Sequence, residues 1–514
     1  MRMLSFLPSL LLGGAPRRSQ TPRKPLRASA DEALADAVAW IVAHGGCYAD
    51  PERLELYGHA PFALEPFPFP KREYDRLVAL QPHFNALVDA VARDAAWLDE
   101  TLAPAAKADA FTRRLLELRE TCDSPQKASL GLLRSDYMLD APGGDTEDGS
   151  GRALQVELNT IASSFDCLST VLSGLHAYVA GRYAGAADDG WLLPENGARD
   201  GLAAGLAVAH REYERQFPAA DDAPPRRVAI VVQPGERNQM DQRMLEHALQ
   251  DAHGVAMSRV TLLDVAGARA ALDEHSRALA FDGGAWEASV IYFRAGYSPA
   301  EYLSEAEWTA RAALENSRAI KCPTVAYQLA GTKKVQQALA APGVVERFAS
   351  SSKVADELRT VFAGLYALEP GADGADEMIK AAISNPDRFV LKPQREGGGN
   401  NLYGEELKAG LETMSPEELG AYILMDRISP PARDATLVRA GAAIAGQCVC
   451  ELGVYGAILT GPDGEILHSG VPGHLLRQKT LGVDEGGVAA GFACLSSPAL
   501  VPKAGPGASS TCFS

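Results

Sequence analysis

Two short stretches hold residue types that could do chemistry on a phosphate. In LQVELNT (154–160), residues two apart on a strand share a face, so Glu157 and Asn159 offer a carboxylate and an amide oxygen to the same side. Hard oxygen donors of this kind suit Mg2+, which takes one or two protein ligands and fills its shell with phosphate oxygens and water. The solvated face of an ordinary alternating strand would look the same. The second stretch is FVLKPQREGGGNNLYGEE (389–406), an apolar strand running into bare backbone and charge. Gly397, Gly398 and Gly399 remove side chains, so backbone N–H groups can come close to an anion, while Lys392 brings a positive charge and Glu396 a second carboxylate for a metal. A flexible surface loop is the other reading of those glycines. The chain has neither a Walker P-loop nor a dinucleotide fingerprint, so a nucleotide site built here belongs to another architecture.

These residues need a scaffold, and the composition allows one. With 514 residues, 46% hydrophobic and 22% charged, the chain is long enough for two or three packed domains. The net charge of −17 argues against a nucleic-acid partner, and no apolar run reaches the length of a membrane span. The eight cysteines are scattered without a CxxC, and no histidine stands at zinc spacing, which reads as free thiols rather than disulfides or zinc. Cys448 and Cys450 alternate on an expected strand and read as structural.

Residues 1–30 carry six basic residues and no acid, and read as an organellar transit peptide, with a chloroplast or mitochondrion as destination. A secretory leader, or an uncleaved tail on a cytoplasmic protein, are the alternatives. Beyond it the pattern is mixed α and β. Leu77, Leu80, Phe84, Leu87, Val88, Val91, Ala95 and Leu98 recur at helical spacing, with the helix start expected after Pro82. Residues 141–152 and 218–226 read as turn-rich loop and linker. The strands at 228–232 and 290–293 bracket a helix and suggest a small β/α substrate domain. The expected division is a leader at 1–30, a helical region with part of the core at 31–226, a substrate domain at 227–332, a nucleotide domain at 333–502 and a tail at 503–514.

The motifs LQVELNTIASSF, YQLAGTKKVQQ, KPQREGGGNNLYGEE, YILMDRISP, CELGVYG and GHLLRQK with EGGVAAG, in this order, resemble the eukaryotic-type glutathione synthetases over about residues 31–502. The resemblance implies a circularly permuted ATP-grasp core with an inserted Rossmann-like substrate domain. It further implies ATP-dependent joining of γ-glutamylcysteine to glycine, two Mg2+ ions and a homodimer. Its metal ligands fall on Glu157, Asn159 and Glu396, and its catalytic residues on Lys392, Glu396 and Arg477. Its ATP contacts fall on Glu157, Lys333, Lys392, the loop from Gln394 and Arg395 through Glu396, Gly397, Gly398, Gly399, Asn400 and Asn401 to Tyr403, the hinge Met425, Asp426, Arg427 and Ile428, then Glu451, Lys479 and Glu485. Its substrate contacts fall on Arg134, on Ile161, Ala162, Ser163 and Ser164, on Glu236, Arg237, Asn238 and Gln242, on Arg294, Ala295, Gly296 and Tyr297, and on Arg477, Val488 and Ala489.

Arginines are the expected partners of two carboxylate-bearing substrates. Ala295 stands where the family has an acid, which puts a side-chain contact there in doubt, and Glu485 stands where a shorter aspartate is usual. Asp426 and Arg427 replace the usual Glu and Lys of the hinge. The rival readings are a homoglutathione synthetase using β-alanine, a ligase for another peptide, and a non-catalytic nucleotide-binding protein. The small residues Val488 to Ala490 favour the shorter acceptor.

Overall fold

The computed structural model describes residues 30–141, 151–183, 191–395, 399–489 and 491–502. The leader, most of the 141–152 loop, the 503–514 tail, and Glu396, Gly397 and Gly398 lie outside the described residues.

The fold is a mixed α/β architecture around a large sheet. At its centre the long strand Ala442–Thr460 pairs antiparallel with Ser129–Asp140 on one side and His474–Thr480 on the other. Of its 19 residues, the run from Cys448 to Thr460 is buried throughout, as expected for a strand covered on both faces. Ser129–Asp140 pairs in turn with Arg152–Asn159, in a register that sets Asn159 opposite Arg134 and Glu157 opposite Asp136. The same sheet continues through Ile320–Cys322 into a parallel block in which Trp286–Phe293 pairs with Arg226–Val231, which pairs with Met257–Val260. The helix Gln239–His253 follows Arg226–Val231, making the β/α unit that the sequence suggests.

A separate three-stranded antiparallel sheet is built from Leu365–Ala367, Phe389–Pro393 and Tyr422–Asp426. It has its own apolar cluster, in which Phe389, Leu391 and Leu424 pack against Leu407 and Leu411 of the helix Gly404–Thr413.

One helix departs from expectation. Lys71–Arg93 is continuous, with Pro82 inside it rather than near its start. An interior proline costs a helix ~3 kcal/mol. Against that, Leu77, Leu80, Phe84, Leu87, Val88 and Val91 are all almost wholly buried, and each large apolar side chain buried is worth ~1.5–3 kcal/mol. Packing therefore wins, and Pro82 itself points to solvent. The apolar pattern also spans two helices: Asp94 interrupts it, accepts a hydrogen bond from Trp97 N at 3.1 Å and caps Ala95–Ala108.

Candidate active site

A cleft of about 450 Å³ lies between the two sheets. The large sheet contributes Arg134, Glu157, Asn159, Glu451, Arg477 and Lys479, and the small sheet contributes Val390, Lys392 and Met425. Strand pairing fixes the first group: Glu451 sits opposite Arg477, and Asn159 opposite Arg134.

Asp136 organises that group, and it was not among the residues expected from sequence. Wholly buried, it accepts a bidentate pair from Arg134, with Nε at 2.7 Å and Nη2 at 2.8 Å. The same carboxylate accepts from Arg477 Nη2 at 3.0 Å and from Asn159 Nδ2 at 3.0 Å. Arg477 also pairs with Glu451. Space for this cluster comes from Gly453, where a Cβ would sit 2.6 Å from Asp136 Oδ1 and 2.7 Å from Arg134 Cδ. The available signal was RSDYM itself, opposite charges two apart on one face of an otherwise apolar strand.

Glu157 faces three cations. Burial alone would push its pKa up, but Lys333, Lys392 and Arg477 outweigh that and hold the carboxyl well below the usual range, so it is ionised. Lys333 Nζ lies 3.1 Å from Glu157 Oε2, and Lys392 Nζ donates to Val156 O at 2.9 Å. Burial lowers the Lys392 ammonium to about 8, and Lys479 is lowered too, again by burial first. Burial raises the Glu451 carboxyl, with Arg477 opposing it. Glu157 and Asn159 do project to one side, since Asn159 Nδ2 reaches Glu157 Oε1 at 3.3 Å. A carboxylate and a neighbouring amide at the cleft edge are chemically suited to a hard divalent cation.

Over the mouth runs the segment 481–489. Arg427 of the hinge pairs with Asp484 at 2.6 Å, Lys479 Nζ donates to Asp484 O at 2.5 Å, and Asn401 Nδ2 donates to Glu485 Oε1 at 3.2 Å. Tyr403, Ile428, Val488 and Ala489 also line the cleft. Several expected nucleotide contacts have other employment. Gln394 is buried and bonds Lys334 N and Ala421 O, so its side chain serves packing. Arg395 reaches the cleft wall yet pairs with Asp109 at 2.7 Å. Asn400 borders a second cavity, and Asp426 lines the cleft while accepting from Tyr366 OH at 3.1 Å.

The substrate candidates divide between this cleft and a cluster of buried polar groups around Arg294, called the chamber below. Ile161, Ala162, Ser164 and Tyr297 line the cleft. The turn that carries Ile161, Ala162 and Ser164 holds Ala162 and Phe165 at φ of 52° and 73°, strained values for side-chain-bearing residues, and so aims Ser164 O at Arg134 Nη1, 3.0 Å away. Ser163 is buried and turns back to Asn159 O. In the chamber, Arg294 donates to Asp241 Oδ2 at 3.0 Å, and Asp241 accepts in addition from the backbone N–H groups of Phe165, Cys167 and Leu168. Asp241 thus caps the helix Asp166–Arg182 and anchors Arg294 at once.

Around this pair, buried polar atoms stand without a protein partner: Tyr48 OH, Asn238 Oδ1, both amide atoms of Gln242, Tyr292 OH and Arg294 Nη1. Such a concentration marks a place for a polar ligand or water. Glu236 accepts from Asn238 N at 2.7 Å. Arg237 donates to Ala49 O and lies 5.1 Å over the ring of Tyr48. Ala295 packs its methyl into the apolar core of the β/α unit, so only its backbone could meet a substrate. Gly296 contributes backbone, its carbonyl accepting from Gln328 Nε2 at 3.1 Å.

All seven described cysteines are free thiols, and burial pushes Cys450 upward, away from reactivity. No helix among the described residues is long and apolar enough to cross a membrane.

Residues 27–500 match the family described as "Eukaryotic glutathione synthase, ATP binding domain". The chain is 43% identical over 451 residues to "Glutathione synthetase, chloroplastic" from Solanum lycopersicum, covering 86% of this chain and 78% of that protein. It is 40% identical over 478 residues to the Homo sapiens glutathione synthetase, covering 92% of this chain and 95% of the human one. A solved apo structure of a glutathione synthetase-like effector from Globodera pallida has the same fold at a TM-score of 0.71 and 22% identity, covering 91% of this chain and 96% of that one. With a family match across nearly its whole length and relatives above one-third identity, the chain belongs to the eukaryotic glutathione synthetases.

Proposed function

We propose that the cleft binds ATP in the manner of an ATP-grasp enzyme, clamped between the two sheets, and that the adjoining chamber takes the γ-glutamyl end of γ-glutamylcysteine for ligation to glycine. The observation that carries this reading is the convergence of Lys333, Lys392 and Arg477 on Glu157 in a cleft that also offers the apolar side chains of Val390, Met425 and Ile428. Met425, Ile428 and Val390 suit an adenine, and the three cations suit phosphates. Glu157 and Asn159 would hold Mg2+, with Glu396 joining them on sequence grounds, and the ion would offset phosphate charge.

A free carboxylate is a poor electrophile, so the cysteinyl carboxylate attacks the γ-phosphorus of ATP, giving an acyl phosphate and ADP. Glycine's amine then attacks the acyl carbon, forming the amide bond as phosphate departs with the bonding electron pair and the amine loses a proton. Arg134 and Arg477, both held by Asp136, are placed to bind carboxylates at the cleft floor. Positioning and charge stabilisation supply the catalysis, and no residue need form a covalent bond. Phosphate release from ATP that requires γ-glutamylcysteine and glycine together tests the assignment, and release unaffected by omitting either one would reject it. Glycine and β-alanine in competition decide the acceptor.

As a second part of the proposal, residues 1 to about 30 direct import into a plastid or mitochondrion, and the active enzyme is a homodimer. Fusion of the leader to a fluorescent reporter, and sedimentation of the purified enzyme, check these two points.

A further inference from the structure

Asp166 lies at the start of its helix, wholly buried, with one carboxylate oxygen that no protein group satisfies. That oxygen, Oδ1, is 3.9 Å from Arg294 Nη1, which is itself buried and unpartnered, while Oδ2 meets the thiol of Cys167 at 3.3 Å. We propose that Asp166 is a positioning residue for Arg294, setting through its own charge how much of the guanidinium's charge remains to hold an anionic substrate group in the chamber. This rests on the chamber's receiving the γ-glutamyl end of the substrate.

Arg294 already has a permanent partner in Asp241, whose charge is shared with three backbone N–H groups. Arg294 and Asp241 offset each other, the helix N-terminus adds partial positive charge, and Glu236 adds negative charge that acts on the same guanidinium. A second buried carboxylate ionised here would add to the negative side. The groups facing Asp166 are Asp241 from the helix Gln239–His253, Arg294 and Tyr292 from the end of Trp286–Phe293, Tyr455 from Ala442–Thr460, and Cys167 beside it. Arg199 acts on Cys167 from the next helix, but its side chain pairs with Asp200. Burial, and then the charge of Asp241, push the Asp166 carboxyl up to about 8, with Arg294 opposing them. Below that pH Asp166 is a neutral acid, and Arg294 keeps its pull on an anion. Above it Asp166 is negative and the pull weakens.

The test compares wild type with Asp166→Asn and Asp166→Ser, both acceptable at a helix start, in the full ATP-dependent ligation from pH 6.5 to 9.5. The substrate's own amine and thiol titrate in this range but do so equally for all three enzymes, so the ratio of KM for γ-glutamylcysteine, wild type to variant, is the readout. That ratio is expected to rise by about threefold or more between pH 7 and pH 9, the order of a partly lost charge interaction, with kcat following one common profile. A ratio flat across the range overturns the proposal, as does a variant KM raised equally at every pH, which would make Asp166 a direct substrate contact. If one variant fails to fold, the other carries the comparison. Absence of ligation by the wild-type enzyme at pH 7 would instead reject the functional reading beneath it.

Discussion

At the scale of single residues, the floor of the cleft depends on one carboxylate and one missing methyl group. Asp136 holds two arginines and Asn159, and Gly453 leaves the room for it. Gly453→Ala would drive a Cβ into Asp136 and Arg134, and overpacking of this kind costs ~1–3 kcal/mol. The expected result is a loss of kcat/KM on the order of 10-fold or more as the arginines shift, and unchanged kinetics would mean the cluster is only a scaffold. Lys392 makes a second prediction, concerning pH. Its ammonium is charged below its pKa of about 8 and neutral above, so kcat/KM for ATP should fall as pH rises through that value. In Lys392→Arg, whose guanidinium does not deprotonate in this range, the falling limb should disappear. Its persistence would assign the limb to another group. Glu157, Lys333, Lys392 and Arg477 were legible in the sequence because motif and spacing put them there, and the cleft does bring them together. Asp136 was only hinted at by the opposite charges of RSDYM, because its contacts with Arg477 and Gly453 come from cross-strand pairing between segments more than 300 residues apart, which no local pattern displays.

Among the elements, strands were easier to read than helices. FVLKP, YILM and LQVELN have the apolar or alternating character of strands, and each is one. The helix through Pro82 was misread because proline's local preference is visible in sequence, whereas the buried face that outweighs it is visible only in three dimensions. That conflict predicts the effect of Pro82→Ala. The position is solvent-exposed and the helix is already continuous, so alanine restores a backbone donor without disturbing the core. A net gain of about 1 kcal/mol or more is expected after the loss of proline's restraint on the unfolded chain. In a chain of this size the melting temperature should rise by about 1–2 °C. A drop would show that the helix bends at Pro82 and that the packing of Leu77 and Phe84 relies on the bend.

Across the whole molecule, the small sheet and the large one meet through polar links rather than a shared apolar core. The small sheet's own cluster, centred on Phe389, Leu391 and Leu424, is distinct from the clusters of the large sheet. The links include Lys334 to Glu369 at 2.5 Å, Lys392 to Val156 O, Arg395 to Asp109, and Ala141 N to Ser429 O at 2.9 Å. The ion pairs among these links are largely buried, and the cost of taking their charges out of water offsets much of their attraction. A unit with its own core and weak seams opens more easily than the body it rests on. ATP touching both sheets would bridge the seam, and a ligand at 100 times its Kd stabilises the form that binds it by about 2.7 kcal/mol. With a non-hydrolysable ATP analogue and Mg2+, backbone amides of Leu365–Ala367, Phe389–Pro393 and Tyr422–Asp426 should therefore slow in hydrogen exchange as a group, including those remote from the cleft. Amides at the centre of Ala442–Thr460 should change little, because that strand is buried between two partners with or without nucleotide. Protection confined to cleft-lining residues would mean that the small sheet is already locked to the large one and that nucleotide merely fills a preformed gap.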